Sequence, residues 1–263
     1  ISLDGRKEVH DTVRKTPSGA GSYDLVANRA RALDKALEGR ERYVRGTYTA
    51  LNKDFSKDVL SLADLGFSQL SVEPVVTLDQ RFALTMDDLP RIRAEYEKLA
   101  REYVRRRKDG QRLNFFHFML DLDDAPCIAK RLLGCGAGNE YVAITPNGDI
   151  YPCHQFVGED GFVMGNVLSG AFDEAMQRRF AGLNVLNKPS CRGCWAKFFC
   201  CGGCAANAWK LNGDLCAPDE LSCEIIKAHL ECALWVYAYE RALLPEREVG
   251  DPTHTNGEEH PIG

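Results

Sequence analysis

The stretch CRGCWAKFFCCGGC, residues 191–204, holds five of the eleven cysteines in the chain. Two thiolates separated by two residues can turn toward the same metal centre, because one tight turn brings both sulfurs to the same side. Cys135 and Cys153 precede this stretch, and Cys223 follows it. An odd number of cysteines cannot pair completely, and none lies before Cys127. The pattern therefore predicts thiols held for metal or redox chemistry rather than a disulfide framework.

The number of cysteines in this pattern bears on which metal they hold. A tetrahedral zinc site needs four ligands, whereas the pattern offers seven cysteines, which do not divide into fours. Iron-sulfur clusters accept sulfur ligands alone, and one cluster can leave an iron open for another ligand. Iron-sulfur clusters are the favoured interpretation, and a zinc-bound module stays the alternative.

Composition narrows the class of protein. A chain of 263 residues with 44% hydrophobic residues can bury a core, which excludes general disorder. No apolar run approaches the roughly 18 residues of a membrane span, and residues 1–5 do not resemble a secretion signal. A net charge of -5 gives no general attraction to nucleic acid or anionic membranes. We expect a cytoplasmic protein without nucleic-acid or membrane partners, and the missing initiator Met leads us to expect a fragment.

The first third of the chain alternates between the periodicity of strands and that of helices. The pattern predicts strands at residues 1–3, 43–48 and 67–72, and helices at residues 23–37 and 52–65. Such alternation is typical of parallel strands joined by right-handed helical crossovers. We therefore predict part of a (β/α) barrel over residues 1–84.

The remaining chain reads as three further segments. Residues 85–134 form a predicted helical bridge, whose helix at 87–108 ends in basic residues that complement its dipole. Asn147-Gly148 between apolar residues predicts a hairpin within the cysteine-rich segment 135–225. Residues 226–263 complete a C-terminal helix predicted over 220–244 and end in a polar tail.

The order of the cysteines resembles a known family. A cysteine, a glycine and a cysteine, then C-x2-C-x5-C-x3-C and a last cysteine, is similar to the SPASM domain of radical S-adenosylmethionine (SAM) enzymes. Upstream, Ser2-Leu3-Asp4-Gly5 with His10 and Arg14, and Gly21-Ser22-Tyr23-Asp24, resemble the second half of a radical SAM barrel. The implied fold is α/β plus α+β. It comprises the C-terminal half of a partial (β/α) barrel, a loop-rich SPASM domain with two 4Fe-4S clusters, and a C-terminal helix.

Three phrases are similar to the maturases that form thioether crosslinks in six-cysteine (SCIFF) peptides. They are residues 45–49, RGTYT, residues 71–76, SVEPVV, and residues 151–158, YPCHQFVG. The resemblance implies a cysteine-rich precursor peptide and a reducing electron donor as partners. A deoxyadenosyl radical would remove a hydrogen atom from the peptide, and a peptide cysteine sulfur would attack the resulting carbon. Sulfatase-maturing relatives carry an Asp after the equivalent of Cys153, where this chain has His154, which disfavours sulfatase maturation.

The resemblance also implies a ligand set. The inner 4Fe-4S cluster would use Cys135, Cys153 and Cys204. The outer cluster would use Cys191, Cys194, Cys200 and Cys223. The fourth position of the inner cluster would accept a substrate thiol, with Cys127 as the alternative ligand. Ser2, Asp4, Arg14 and Glu73 would contact SAM, and no catalytic residue is identified.

One departure from the family concerns SAM cleavage. The C-x3-C-x2-C motif that holds the SAM-cleaving cluster is absent from this sequence. SAM and a third 4Fe-4S cluster would therefore belong to the complete enzyme, and we expect no SAM cleavage by this chain alone. The competing hypothesis is a stand-alone electron-transfer or peptide-binding module. Cys201, Cys216 and Cys232 are predicted to be non-ligands, with Cys232 a buried free thiol.

Overall fold

Two sheets of opposite type organise the chain, a parallel sheet in the first half and an antiparallel sheet in the cysteine-rich half. The computed structural model describes residues 1–37, 40–120, 122 and 131–243. The strands are β1 Val44–Tyr48, β2 Gln69–Pro74, β3 Asn114–Phe115, β4 Ala143–Ile144, β5 Asp149–Tyr151, β6 Gly165–Asn166 and β7 Ala171–Phe172. The helices are α1 Lys7–Val13, α2 Tyr23–Ala36, α3 Ser56–Asp64, α4 Leu89–Lys108, α5 Glu174–Ala181, α6 Pro189–Arg192, α7 Lys197–Cys200, α8 Ala205–Asn212 and α9 Glu220–Leu243.

The parallel sheet has the order β1-β2-β3. Helix α3 connects β1 to β2, and α4 connects β2 to β3, as the crossover between parallel strands requires. The strands predicted at residues 43–48 and 67–72 are therefore present as the parallel pair β1 and β2. Residues 1–3, predicted as a strand, join this sheet only through a single parallel bridge between Ser2 and Arg45. The sheet continues past residue 84, because β3 lies inside the segment predicted to be a helical bridge.

Helix α4 covers the parallel sheet and carries much of its core. Its buried side chains recur at helical spacing, at Ile92, Tyr96, Leu99, Tyr103 and neighbouring positions. Tyr96 meets the ring of Phe55 from α3 edge-on, with 4.7 Å between ring centroids. Helix α9 packs along α4 and contributes Ile225, Ala228, Cys232, Ala233 and Val236 to the same core.

The basic end of α4 bridges neighbouring elements rather than standing alone in solvent. Arg106 Nη1 lies 2.6 Å from the Asp64 carboxylate of α3. Arg107 Nε lies 2.6 Å from Glu240 of α9, and its Nη1 donates to the Leu113 carbonyl just before β3. These contacts fix the end of α4 against three elements of the fold.

The cysteine-rich half has its own small sheet and core. Strands β4 to β7 pair in sequence, all antiparallel, and the predicted hairpin turn at Asn147-Gly148 joins β4 to β5. Gly148 takes φ 88°, a conformation that this turn requires and that side chains disfavour. Phe156, Phe162, Phe180 and other buried side chains form the second core.

Helix α9 spans almost the whole of the predicted range 220–244. The tail predicted over 245–263 lies outside the described residues. No helix in the described part of the chain combines the length and apolar character needed to cross a membrane.

Gly46 offers a test of the sheet's packing. A Cβ at this position would lie 2.8 Å from both Cα of Asp4 and the Leu3 carbonyl oxygen, and both atoms are backbone. We predict that Gly46→Ala lowers the free energy of unfolding by about 1–3 kcal/mol, the usual cost of overpacking. The measurement is urea unfolding. Gly182→Ala is the matched control, because its Cβ would make only ordinary contacts at 3.4 Å. An unchanged unfolding midpoint for Gly46→Ala would contradict this packing.

Candidate metal centres

Three thiols from distant parts of the sequence meet beside the small sheet, and we call them the inner group. They are Cys135, Cys153 and Cys204. Cys153 follows β5, and Cys204 is the residue immediately before α8. Burial raises the pKa of the Cys153 thiol, and the neighbouring thiolates of Cys204 and Cys135 raise it further. Cys135 is exposed, whereas Cys153 is buried.

Gln155 connects two sulfurs of the inner group. Its backbone N–H donates to Cys153, as does that of Phe156, and both hydrogen bonds favour the Cys153 thiolate. The Gln155 side-chain amide lies 3.6 Å from the Cys204 sulfur. Hydrogen bonds to sulfur are among the factors that set the properties of a thiolate-held cluster.

Four other thiols form the outer group, Cys191, Cys194, Cys200 and Cys223. Cys191 lies in α6, Cys200 ends α7, and Cys223 lies in the first turn of α9. Burial raises the pKa of Cys223 to about 11, and the thiolates of Cys200, Cys191 and Cys194 contribute to this increase. Metal binding at these thiols would release protons, because thiolates are the ligands.

One tight turn separates the two groups. Cys201, Gly202 and Gly203 all have positive φ, at 56°, 86° and 70°. Cys201 is the one non-glycine residue with positive φ among those the structure describes. The turn lies between Cys200 of the outer group and Cys204 of the inner group, so that two cysteines four positions apart serve different groups.

The donor sets fit iron-sulfur clusters by their chemistry. Each group offers sulfur alone, and thiolate sulfur is the ligand that such clusters use. Among residues 1–37, 40–120, 122 and 131–243, no group of three or more His, Cys, Asp or Glu residues is placed so that it could hold a metal ion. Cys127, the alternative inner ligand, lies outside the described residues.

The three cysteines predicted to be non-ligands have different surroundings. The Cys201 thiol approaches the Phe199 carbonyl at 3.7 Å. Cys216 packs at the edge of the second core, and Cys232 is buried in the first. Exposed His154 hydrogen-bonds to the Tyr141 hydroxyl at 2.9 Å, next to Cys153 in the chain.

The residues predicted to contact SAM line one edge of the parallel sheet. Asp4 is 1% exposed and accepts hydrogen bonds from Arg14 through both carboxylate oxygens. Its Oδ1 also accepts from the Thr47 N–H at 3.0 Å. The Asp4 carboxylate therefore makes its hydrogen bonds within the protein, whereas the Arg14 side chain is 43% exposed. Ser2 is exposed and pairs with Arg45.

Glu73 is the last residue but one of β2 and lies opposite Thr47 on β1. It has a partner that the sequence pattern did not predict. His117 Nε2 lies 3.2 Å from its carboxylate, and the Ser71 hydroxyl donates to it at 2.5 Å. Burial has the largest single effect and raises the pKa of Glu73, but the contacts with His117 and Ser71 and the charge of Arg45 together outweigh it and lower the pKa to about 2. In the sequence, a Glu near the end of one strand and a His shortly after the next strand could have indicated this pair.

His229 of α9 completes this buried cluster. Its ring lies 4.8 Å from the His117 ring, centroid to centroid. Its Nδ1 is buried without a hydrogen-bond partner in the described part of the chain. Burial and the positive charge of His117 lower the pKa of His229 to about 3, against a smaller opposite effect of Glu73. His229 is therefore neutral at physiological pH.

Comparisons with known proteins match the cysteine-rich segment to a described domain. Residues 135–195 match SPASM, described as an iron-sulfur cluster-binding domain. This range contains Cys135, Cys153, Cys191 and Cys194, and it ends before Cys200.

Relatives of the chain include mycofactocin maturases. That of Mycolicibacterium smegmatis is 30% identical over 227 residues, covering 83% of this chain and 55% of that protein. The mycofactocin maturase of Mycobacterium tuberculosis is 27% identical, and the match covers 89% of this chain and 58% of that protein. The chain thus spans little more than half the length of these relatives. A solved structure described as native anSMEcpe with bound AdoMet and Cp18Cys peptide has a TM-score of 0.69 at 19% identity, covering 92% of this chain and 69% of that one.

The cysteine-rich segment is therefore similar to the SPASM iron-sulfur cluster-binding domain. As a whole, the chain resembles radical SAM/SPASM peptide maturases, and it is similar to the mycofactocin maturases. The comparison with solved structures supports the fold alone.

The low pKa of His229 generates a prediction about pH dependence. An unfolded His titrates near 6.5 and folded His229 at about 3, so the unfolded chain binds more protons between these values. The contribution of His229 to the free energy of unfolding is present above pH 6.5. As the pH decreases below 6.5, this contribution falls by about 1 kcal/mol per pH unit. We predict that His229→Gln reduces this slope between pH 6.5 and 5.5, and that the part due to His10, whose pKa burial also lowers, remains.

Urea unfolding at several pH values measures the slope. His154→Gln, which replaces an exposed ring, is the matched control and should keep the wild-type slope. The same slope in wild type and His229→Gln would show that another group, such as His10, causes it.

Proposed function

We propose that this chain is the auxiliary-cluster portion of a radical SAM enzyme that installs cysteine-derived thioether crosslinks in a ribosomal precursor peptide. The main support is the division of seven thiols into a group of four that are buried or half-buried and a group of three that includes the exposed Cys135. Four thiolates fill one 4Fe-4S cluster, and three leave one iron of a second cluster free. A reducing compartment such as the cytosol would keep these thiols available.

The inner group is suited to hold a peptide thiol. Bound at these thiols, 4Fe-4S clusters supply one-electron transfer and an iron that can coordinate sulfur. Cys135 is exposed, so that a peptide can approach the inner group from its side. Gln155 holds the sulfurs of Cys153 and Cys204 in place through its hydrogen bonds. Holding a substrate sulfur beside its target carbon would raise the effective concentration of the reacting pair.

The sheet edge is suited to bind SAM in the complete enzyme. Asp4 and Thr47 orient the Arg14 guanidinium, whose half-exposed side chain can pair with a carboxylate. Glu73 and His117 place a charged pair on the neighbouring strand. The C-x3-C-x2-C motif is absent from the sequence, so we infer that this chain does not itself cleave SAM. The precursor peptide and a low-potential electron donor are its proposed partners.

A stand-alone electron-transfer or peptide-binding module is the second candidate. It would use the same seven thiols without a SAM-cleaving cluster, and residues 1–126 contain no cysteine that could hold one. Similarity to mycofactocin maturases favours a role in peptide maturation without selecting the bond that forms. The thioether chemistry rests on the group of three thiols and on the phrases shared with SCIFF maturases.

Iron content tests the two-cluster proposal. We predict that the anaerobically reconstituted chain binds about eight irons and about eight sulfides, because two 4Fe-4S clusters fill the two groups. Cys200→Ala should lose about four irons, since Cys200 belongs to the outer group. Cys201→Ala, one position further on, is the matched control and should keep about eight. Iron and sulfide assays with absorption spectra provide the measurement.

Two results would contradict this proposal. Stoichiometric zinc after native purification, with about four irons or fewer after reconstitution, would remove the second cluster. Equal iron loss in Cys200→Ala and Cys201→Ala would show that the turn, rather than the Cys200 thiol, is what the cluster needs.

The fourth position of the inner cluster has a separate test. We predict that Cys127→Ala keeps its iron, and that adding a cysteine-containing peptide still changes the EPR signal of one reduced cluster, because a peptide thiol occupies the open iron. The same peptide with Ser in place of Cys is the control and should leave the signal unchanged. Loss of about four irons in Cys127→Ala would instead make Cys127 the fourth ligand.

A further inference from the structure

Lys188 is an unusual residue to find in the interior of the cysteine-rich half. It is 2% exposed, and its ammonium group donates a hydrogen bond to the Gly202 carbonyl at 2.7 Å. No carboxylate lies within ion-pair distance of it among the residues that the structure describes. A buried ammonium without a counter-charge is costly, and one carbonyl compensates for only part of that cost.

The location of Lys188 relates it to both groups of thiols. It immediately precedes α6, three residues before Cys191 of the outer group. It also lines a small cavity together with Cys135 of the inner group and Gly203. Its hydrogen-bond acceptor, Gly202, lies in the left-handed turn between Cys200 and Cys204. Lys188 therefore lies near thiols of both groups.

The position of Lys188 has an electrostatic consequence for the thiols near it. The charge of Lys188 opposes the effect of burial on the pKa of Cys191, so its field reaches the outer group. Thiolate-held clusters are anionic, and one-electron reduction adds a further negative charge. A fixed positive charge in a buried site stabilises the reduced form more than the oxidised form, because screening by water is weak there.

We propose that Lys188 is a buried counter-charge shared by the two clusters, and that it raises their reduction potentials, most strongly that of the cluster held by Cys191. This inference rests on the proposed two-cluster function and goes beyond ligand assignment. Electrons from a low-potential donor would then enter the outer cluster more readily than they would without Lys188. Lys188 acts through the cluster environment and is not a ligand.

Potentiometric titration with dithionite, followed by EPR, tests the proposal in the reconstituted chain. Lys188→Met removes the charge and retains much of the side-chain length. At a fixed potential, we expect the ratio of reduced to oxidised outer cluster to fall about tenfold, which is 59 mV for one electron. Lys188→Arg keeps the charge and should keep a potential near that of wild type.

Lys197→Met is the matched control. The Lys197 ammonium also donates to a backbone carbonyl, that of Arg192 at 2.7 Å, but this contact is exposed to solvent. Solvent screening should make the change in its reduced-to-oxidised ratio much smaller than that of Lys188→Met. Equal shifts in the two variants would overturn the special role of a buried charge.

The remaining outcomes distinguish this inference from the proposed function. Two clusters in wild type with an unchanged potential in Lys188→Met would overturn the inference and leave the proposed function standing. If Lys188→Met loses iron, Lys188→Arg decides: retained iron and potential support the counter-charge, and equal iron loss means that the side chain only shapes the Gly202 turn. Wild-type protein that binds no cluster would overturn both proposals.

Discussion

The turn at residues 201–203 is the constraint on which the cysteine-rich half depends. All three residues of the turn have positive φ, so the backbone turns sharply between Cys200 and Cys204. The two cysteines therefore lie in different groups. Glycine adopts this conformation readily, but Cys201 does so at a cost of about 1–2 kcal/mol. Surrounding contacts maintain it, including the hydrogen bond from Lys188 to Gly202 and the approach of Gly134 to Cys201.

This turn explains why spacing along the sequence and grouping in space differ. The outer group takes Cys191, Cys194 and Cys200 from one stretch and Cys223 from α9, whereas Cys204 joins Cys135 and Cys153 across the second core. The two groups therefore interleave along the chain. Occupation of either site would tie together segments that are distant in sequence, and metal binding would contribute directly to folding.

Local patterns allowed much of this to be predicted from the sequence. Helices α2, α3, α4 and α9, the parallel pairing of β1 with β2, and the hairpin of β4 and β5 all follow from periodicity and turn residues. Strand β3 has only two residues and carries no periodic signal. Its place is set by pairing with β2, which is a long-range contact.

Long-range contacts limit the prediction of the sites from the sequence in the same way. Asp4 and Arg14 could be selected from a motif, but the pairing of His117 with Glu73 depends on β3 lying beside β2. Lys188 precedes a proline, and a lysine at such a position ordinarily lies at the surface. Its burial depends on the turn at 201–203, so no local pattern could reveal it.

Helix α9 links the thiols to the polar edge of the sheet. Cys223 in its first turn belongs to the outer group, and His229, six residues later, faces His117 beside Glu73. Six residues of α-helix rise about 9 Å, so one rigid element separates the two sites by a short, fixed distance. Because α9 also packs along α4, the outer group is held against the core of the parallel sheet. In the proposed function, a reaction that starts at the sheet edge and ends with an electron on a cluster would use this fixed separation. The outer group, which shares a helix with that edge and has four thiols, would carry electrons. The inner group, with three thiols and an exposed Cys135, would bind the substrate.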